Sequence, residues 1–213
     1  LNAMEYLIMP HYIINFRNTS NIEIHYHEIY QNLWFDTDVT FTQKKRIPRG
    51  GYQFRDMMFL FNTDLRKTLN TTISVKYGSY FIGNKFSMNG GLSFRKQPWG
   101  IFSINFSYDD IRLPDPYESA VILLLGPKIE LSFTKNLFWS TFVQYNSQAE
   151  NFNINSRLQW RFRPMSDLYI VYTDNYLTQT DAVFKDYYTS LSTQIDSKKN
   201  RALVLKFVYC LNL

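Results

Sequence analysis

The sequence predicts an all-β fold, an antiparallel up-and-down transmembrane β-barrel, of which this chain supplies about eleven strands. Three observations lead to this prediction. Apolar and polar side chains alternate along most of the chain, and aromatic residues make up 18% of the composition, with 16 Tyr and 18 Phe. The last segment also keeps one apolar face to its final residue. Barrels need these features because their outward face meets lipid, aromatic girdles meet both interfaces and the inner face meets water.

The terminal segment, Arg201 to Leu213, shows the alternation most clearly. Its apolar face consists of Leu203, Leu205, Phe207, Tyr209, Leu211 and Leu213. Its mixed face consists of Ala202, Val204, Lys206, Val208, Cys210 and Asn212. The apolar face is predicted to meet lipid and the mixed face to meet a polar lumen. The single cysteine excludes an intrachain disulfide framework.

Composition excludes several other classes of protein. The longest apolar runs, such as Ala120 to Gly126, are far shorter than the roughly 18 residues of a spanning helix. The net charge of +5 is spread along the chain, so nucleic acid is not predicted as a partner. No secretory signal opens the chain, although an outer-membrane protein must be exported. Residues 1–213 are therefore predicted to be a single β-barrel domain or the carboxyl-terminal fragment of a larger barrel.

The first half of the chain is predicted to contain strands separated by polar turns. The first strand is Tyr6 to Arg17, and the second is Ile22 to Trp34, with a bulge near Glu28 where the alternation blurs. Asp36 to Gly50 is polar and is predicted to be an exposed loop. Further strands begin at Tyr52, at Thr71 and at Phe86, and Gly83-Asn84 is predicted to form the hairpin turn between the last two.

The second half continues the pattern. Pro127 interrupts the strand that begins at Val121 and implies a bulge or an edge position. Asp174 to Asn200 is predicted to be the second long polar loop. Short connections near Asn18, Asp64, Gln97, Lys135 and Pro164 alternate along the chain with a second set that contains all the long ones. Because outer-membrane barrels have short periplasmic turns, the long connections are predicted to lie outside the cell.

An odd count of about eleven strands is itself informative. Single-chain bacterial barrels have an even number of strands. The count therefore predicts that partner strands are missing from this chain.

The strand from Asn153 to Arg163 carries the clearest polar face. Three arginines on one side of a strand are costly in a buried core, because each charge would need a partner, whereas a water-filled lumen accommodates them. They are predicted either to favour anions, as charged rings do in pores, or to pair with Glu130 or Asp174 as structural ties. The predicted lumen-facing residues are Arg157, Arg161, Arg163, Asn153, Asn155 and Lys206.

Two groups of titratable residues are weighed as chemical sites. His25 and His27 share a strand face with Glu23, and their spacing could approach a metal together with His11. Lumen-facing polar residues are the commoner interpretation, so neither a metal nor a cofactor is predicted. The acidic group of Asp109, Asp110 and Asp115 is interpreted as solvated carboxylates near an outer loop. The chain has no Gly-x-Ser-x-Gly nucleophile motif, and no catalytic role is assigned to it.

Three segments resemble the closing strands of a poorly characterised barrel family from Bacteroidota. They are Ile47 to Phe54, Phe142 to Ser147 and Leu158 to Tyr172, and the most specific feature is the turn Arg163-Pro164-Met165-Ser166-Asp167-Leu168. Members of that family typically carry, ahead of the barrel, a sandwich domain similar to family 9 carbohydrate-binding modules. Some are described as membrane-associated hydrolases. Nothing in this chain matches the sandwich domain.

The predicted function is that of an outer-membrane β-barrel, which serves as anchor or passage for an exported, carbohydrate-handling protein. Its predicted location is the bacterial outer membrane and its predicted partner is outer-membrane lipid. The resemblance implies glycan as a further partner, through the missing amino-terminal domain, and the oligomeric state is left open. One alternative is an outer-membrane-associated hydrolase with active groups near His25 and His27. The other is a soluble β-sandwich binding module.

Overall fold

The computed structural model describes residues 4–40, 42, 45–177 and 198–211. All regular elements within these ranges are β-strands, which confirms the all-β prediction. The twelve strands are β1 Glu5–Ile8, β2 His11–Asn15, β3 Asn21–Leu33, β4 Gly50–Asn62, β5 Leu69–Tyr80, β6 Gly83–Lys96, β7 Gly100–Arg112, β8 Ala120–Thr134, β9 Leu137–Asn146, β10 Asn151–Arg163, β11 Ser166–Leu177 and β12 Lys198–Val208.

The twelve strands form one antiparallel up-and-down sheet. The pairing order follows the chain from β3 to β12, with β1 and β2 both paired to β3, so the sheet has eleven positions. A β-sandwich would need two packed sheets, whereas the pairing places every described strand in one. The sheet order is open, with β1 and β2 at one end and β12 at the other.

The chain divides into two compact units. Unit 1 comprises Leu1–Leu92 with Asn105–Leu123, and unit 2 comprises Ser93–Ile104 with Leu124–Leu213. Among the described residues, the buried hydrophobic side chains all belong to unit 1: Val39, Ile47, Phe54 and Ile111. The described strands of unit 2 are therefore held by their ladder of backbone hydrogen bonds and by cross-strand side-chain pairs.

The predicted first strand is interrupted at Met9 and Pro10, and this interruption explains why twelve strands occupy eleven positions. Ile8 pairs with Glu28 and His11 pairs with His25, so β1 and β2 follow a single register along β3. Proline has no N–H to donate to the ladder, and the strand breaks where it occurs. The prediction that this segment is extended is confirmed, and the prediction that it forms one uninterrupted strand is wrong.

The predicted bulge near Glu28 is wrong. The β3 and β4 strands pair without a register shift from Asn21 opposite Asn62 to Leu33 opposite Gly50. The alternation blurs because Glu28 lies on the face that also carries Tyr26, and its Oε1 accepts hydrogen bonds from Gln53 at 2.6 Å and Arg55 at 3.3 Å. Polar partners on the neighbouring strand thus stabilise the Glu28 charge on the face that carries Tyr26.

The segment predicted to be an exposed loop, Asp36 to Gly50, is partly packed in its described residues. Thr37 and Ile47 exchange backbone hydrogen bonds of 2.9 and 3.0 Å, and Ile47 is only 1% exposed. Val39 and Thr40 are buried as well. The prediction of exposure is therefore wrong for Val39, Thr40 and Ile47. It rested on the polar composition of the whole segment, which does not show which single side chains are buried.

The hairpin turn between β5 and β6 lies at Phe81 and Ile82 rather than at the predicted Gly83-Asn84. Phe81 adopts a left-handed φ of 49°, and its ring packs against Tyr80 and Phe54 at centroid distances of 4.8 and 5.0 Å. These contacts offset the strain of a left-handed non-glycine residue. Gly83 opens β6 instead, where a Cβ would collide with the backbone oxygen of Arg112.

Three further predictions for unit 2 differ from the structure. Leu125 pairs with Tyr145 and Lys128 with Phe142 in one register, so Pro127 causes no bulge in the pairing with β9, and the register shift lies between Ser132 and Thr134. The edge position is wrong as well, because β8 lies between β7 and β9 in the sheet. The predicted loop from Asp174 to Asn200 is wrong at both ends, because β11 extends to Leu177 and β12 begins at Lys198. The final strand ends at Val208 rather than at Leu213. Residues 178–197, 212 and 213 lie outside the described residues.

The turn between β4 and β5 is held by a carboxylate that makes a bidentate contact. Arg66 donates from Nε and from its Nη2 to the two Asp64 carboxylate oxygens at 2.9 and 3.0 Å, and its backbone N–H donates to Oδ1 at 2.9 Å. The hydrogen bonds from the Arg66 side chain are the main reason that the pKa of Asp64 lies well below its usual range. The turn therefore favours an ionised carboxylate.

This geometry predicts an acid-sensitive contribution to stability. A carboxyl group whose pKa falls on folding stabilises the fold above its unfolded-state pKa and loses that contribution as the pH falls through the folded-state pKa. We expect Asp64→Asn to lower the unfolding midpoint at neutral pH, and the difference from wild type to shrink below about pH 4. Arg66→Gln should reproduce the effect. A difference between Asp64→Asn and wild type that stays constant from pH 7 to pH 2 would contradict the interpretation.

Candidate functional site

Unit 2 places polar and apolar side chains on opposite faces of its sheet. Alternate residues of β10 oppose alternate residues of β11, so that Asn155 pairs with Thr173, Arg157 with Val171 and Arg161 with Asp167. We call this surface the polar face of unit 2; its members are Asn153, Asn155, Arg157, Gln159, Arg161, Asp167, Tyr169, Val171, Thr173, Val204 and Lys206. Five of the six predicted lumen-facing residues therefore lie together.

A hydrogen-bond network orders the polar face. Asp167 accepts hydrogen bonds through Oδ1 from Arg161 Nε at 3.2 Å and from Gln159 Nε2 at 3.0 Å. The same Gln159 amide nitrogen donates to the Tyr169 hydroxyl at 3.2 Å. Arg157 donates from Nη2 to Gln159 Oε1 at 2.8 Å and lies over the Tyr169 ring, 5.1 Å from its centroid. The Asp167 carboxylate thus pairs with Arg161. It also orients the Gln159 amide, whose oxygen accepts a hydrogen bond from Arg157.

The sixth predicted residue, Arg163, departs from this face. The β10–β11 register shifts between Arg161 and Arg163, and Arg163 donates from Nη1 to the Tyr209 hydroxyl at 3.1 Å. The Tyr209 ring stacks with Phe162 and Phe207, which belong to the opposite face. Strict alternation predicted a lumen-facing Arg163, and the irregularity at the end of β10 redirects it.

The opposite surface is the apolar face of unit 2. In one row across its strands, Leu158 on β10 lies opposite Ile170 on β11, which lies opposite Leu205 on β12. In the next row, Trp160, Leu168 and Phe207 lie opposite one another in the same way. Leu203, Leu205 and Phe207 on β12 are 72%, 68% and 64% exposed. Large apolar side chains in a contiguous exposed patch mark a surface that meets another apolar phase or molecule.

An ionic cluster interrupts the apolar face near the end of β11. Asp174 lies in the row of Ile154 and Arg201, and its side chain is 0% exposed. Its Oδ2 accepts hydrogen bonds from the Tyr172 and Tyr176 hydroxyls, both at 2.5 Å, and from Arg201 Nε at 2.7 Å. Arg201 also donates to the Tyr176 hydroxyl at 2.8 Å. These contacts compensate the charge that burial would otherwise penalise.

The structure contradicts one predicted role of the β10 arginines, which is ion pairing with Glu130 or Asp174. Asp174 pairs with Arg201 across β11 and β12, on the face opposite Arg157 and Arg161. Glu130 forms its ion pair with Lys128 at 2.9 Å. Neither predicted carboxylate partner therefore ties the β10 arginines. The pattern Tyr172, Asp174 and Tyr176 has the period of two that places all three side chains on one face, so the sequence carried a signal for the cluster.

In unit 1 the structure brings the three histidines together on one face. The His11 and His25 rings stack with centroids 5.3 Å apart, and those of His25 and His27 are 5.9 Å apart. His25 Nε2 lies 2.9 Å from Glu23 Oε2, and His27 Nδ1 lies 2.6 Å from Asp56 Oδ1. Asp56, which the sequence analysis did not identify, also pairs with Lys76 at 3.4 Å.

The histidine group consists of two carboxylate–imidazole pairs. Within the described ranges no group of three His, Cys, Asp or Glu side chains is arranged to hold a metal ion. The second ring nitrogen of His25, Nδ1, is buried without a hydrogen-bond partner in the described part of the chain, so no nucleophilic hydroxyl is joined to it. The hydrolase interpretation stays a prediction.

The remaining candidates are held by local contacts. Asp109 pairs with Lys85 at 3.2 Å, and Asp110 pairs with Arg112 at 2.8 Å. Asp115 lies exposed in the connection between β7 and β8. Cys210 is exposed, and its backbone N–H donates to the Ser166 hydroxyl at 3.1 Å. Across the residues that the structure describes, no helix has the length and apolar character needed to span a membrane.

Comparison with known families gives one match. Residues 133–213 match the family model for a domain of unknown function, DUF5916. The match covers two of the three segments that carry the resemblance described above, Phe142 to Ser147 and Leu158 to Tyr172, and leaves Ile47 to Phe54 outside it. Searches of curated proteins and of solved structures find no match to this chain.

Proposed function

We propose that this chain is part of an outer-membrane β-barrel whose apolar face meets lipid. The observation that carries the proposal is the exposure of Leu203, Leu205 and Phe207 on one face of β12. Exposing apolar surface to water costs roughly 25 cal/mol per Å², and no described residue covers these side chains. Lipid in contact with this face would remove that cost.

The polar face of unit 2 supports a water-filled interior. Arg157, Arg161 and Lys206 lie on it with Asn153 and Asn155, and such charges are tolerated where water or a polar channel surrounds them. A sheet that is apolar on one face and charged on the other matches the two environments of a barrel wall.

The strand count supports membership of a larger barrel. The described strands occupy eleven positions in the sheet, and antiparallel closure requires an even number. We therefore propose that an odd number of further strands, from the rest of the polypeptide, completes the barrel. Each such strand would alternate apolar and polar residues as β12 does.

The connections support an orientation in the membrane. The connections at 135–136 and 164–165 have two residues each, whereas the connection between β3 and β4, at 34–49, has sixteen. Barrels of the outer membrane have short periplasmic turns and longer external loops. In the proposed orientation, the turn at Pro164 and the end of β12 lie on the periplasmic side.

The cellular role that we propose is that of anchor or passage for an exported, carbohydrate-handling protein. It is supported by the resemblance of the closing strands to a Bacteroidota barrel family with a carbohydrate-binding-like domain. The match of residues 133–213 to DUF5916 agrees with that resemblance over the last strands. The glycan would bind outside this chain.

The test is the behaviour of the full polypeptide, expressed with its own export signal. We expect it to fractionate with the outer membrane and to migrate faster on gels before heating than after, because folded barrels resist detergent. A protein that remains soluble in the periplasm would refute the proposal. The apolar face of unit 2 would then be covered by protein rather than by lipid.

A further inference from the structure

Arg157 is the one arginine of β10 that is both on the polar face and without a carboxylate partner among the described residues. Arg161 is paired with Asp167, and Arg163 is turned to Tyr209. Arg157 donates one described hydrogen bond, to Gln159, although a guanidinium carries five N–H groups. Its side chain is exposed, so the remaining donors are accessible.

The Arg157 guanidinium is held in place rather than free to move. Gln159 Nε2 donates to both Asp167 and Tyr169, and this fixes the amide so that its oxygen accepts from Arg157. The Tyr169 ring supports the guanidinium from one side at 5.1 Å. Asp167 is only 8% exposed, so the carboxylate that anchors the network is shielded from solvent. Preorganised donors bind an anion with less loss of side-chain entropy.

A second cation lies close by in the pairing. Lys206 on β12 is directly opposite Tyr169 on β11, which is opposite Gln159 on β10. On β10, β11 and β12 the polar face carries one carboxylate, Asp167, and three cations: Arg157, Arg161 and Lys206. On β8, Glu130 is neutralised by Lys128. The local charge of the polar face is therefore positive.

We propose that Arg157 and Lys206 form a binding site for small oxyanions, namely solutes that carry a carboxylate, sulfate or phosphate group. The planar fork of an arginine matches two oxygens of such a group, and an ammonium adds a point charge. In a barrel, this site would favour passage of anions over cations. The inference rests on the proposed function for its location in a lumen, and on the geometry of unit 2 for its chemistry.

The experiment measures the reversal potential of the full polypeptide in planar bilayers under a potassium chloride gradient. We expect the wild type to prefer chloride over potassium, and Arg157→Gln to reduce that preference several-fold. Arg163→Gln is the matched control, because it removes the same charge from a side chain that contacts Tyr209. A chloride preference that is unchanged in Arg157→Gln would overturn the proposal.

Equilibrium binding separates this inference from the proposed function. Dialysis of the detergent-solubilised protein against radiolabelled sulfate should show binding that Arg157→Gln weakens by about tenfold, the effect of losing a charge-assisted hydrogen bond. If the protein binds sulfate but does not conduct, the passage role fails and the oxyanion site stands. If the inserted protein conducts without chloride preference and binds no sulfate, the oxyanion site is refuted and the barrel stands.

Discussion

Replacing Leu203 by arginine is expected to destabilise the membrane-inserted protein by about 2–4 kcal/mol, the cost of a basic side chain on the lipid face near the bilayer midplane. Leu203 lies at the middle of β12, and it is 72% exposed on the apolar face of unit 2. An arginine there would have to reach the interface or carry water into the hydrocarbon region. The measurement is urea-induced unfolding of the full polypeptide in lipid bilayers, monitored by tryptophan fluorescence.

The adjacent residue provides a matched control. Val204 is also exposed, at 51%, but it belongs to the polar face of unit 2. Val204→Arg introduces the same side chain one position along the same strand, and we expect only a small loss of stability, since water would solvate the charge. Equal losses for the two variants, or a larger loss for Val204→Arg, would show that the apolar face does not meet lipid.

The alternation of side chains was sufficient to predict the all-β fold and most strand positions, because a period of two fixes which face each residue occupies. It correctly separated Leu205 from Lys206 and Arg157 from Leu158. The prediction failed where a single residue changed the local backbone. Pro10 lacks an N–H group and divides the first strand. Phe81 occupies a left-handed turn position where glycine is usual, because contacts with aromatic neighbours hold it there.

Partners across strands were harder to predict than faces. The period of two places Tyr172, Asp174 and Tyr176 together, but it gives no register between β11 and β12, and the register is what brings Arg201 to Asp174. The same limit applies to Asp56 and His27, which are 29 residues apart in the chain. A sequence pattern specifies the direction of a side chain, whereas a contact also requires the pairing of two strands.

The second large effect is a loss of stability that we expect when Arg201, the ion-pair partner of Asp174, is replaced by methionine. Arg201→Met keeps an unbranched apolar stem and removes the charged guanidinium, so it leaves a fully buried carboxylate with two tyrosine hydroxyls as its only remaining partners in the described part of the chain. Breaking a buried ion pair from one side costs about 3–5 kcal/mol, because the charge that remains is uncompensated. Arg201 is 45% exposed in its side chain, so water offsets part of that loss, and we expect a smaller but clear decrease in stability.

The double variant Asp174→Leu with Arg201→Met tests the reason for this loss. Both charges are then absent from a face that is otherwise apolar, and hydrophobic replacement of a buried pair is often neutral or stabilising. We expect the double variant to recover most of the stability that Arg201→Met loses, measured by the same urea-induced unfolding. Arg157→Met, on the polar face and without a carboxylate partner in the described residues, should cost less than about 1 kcal/mol. If the double variant is no more stable than Arg201→Met alone, the uncompensated carboxylate is not the cause of the loss.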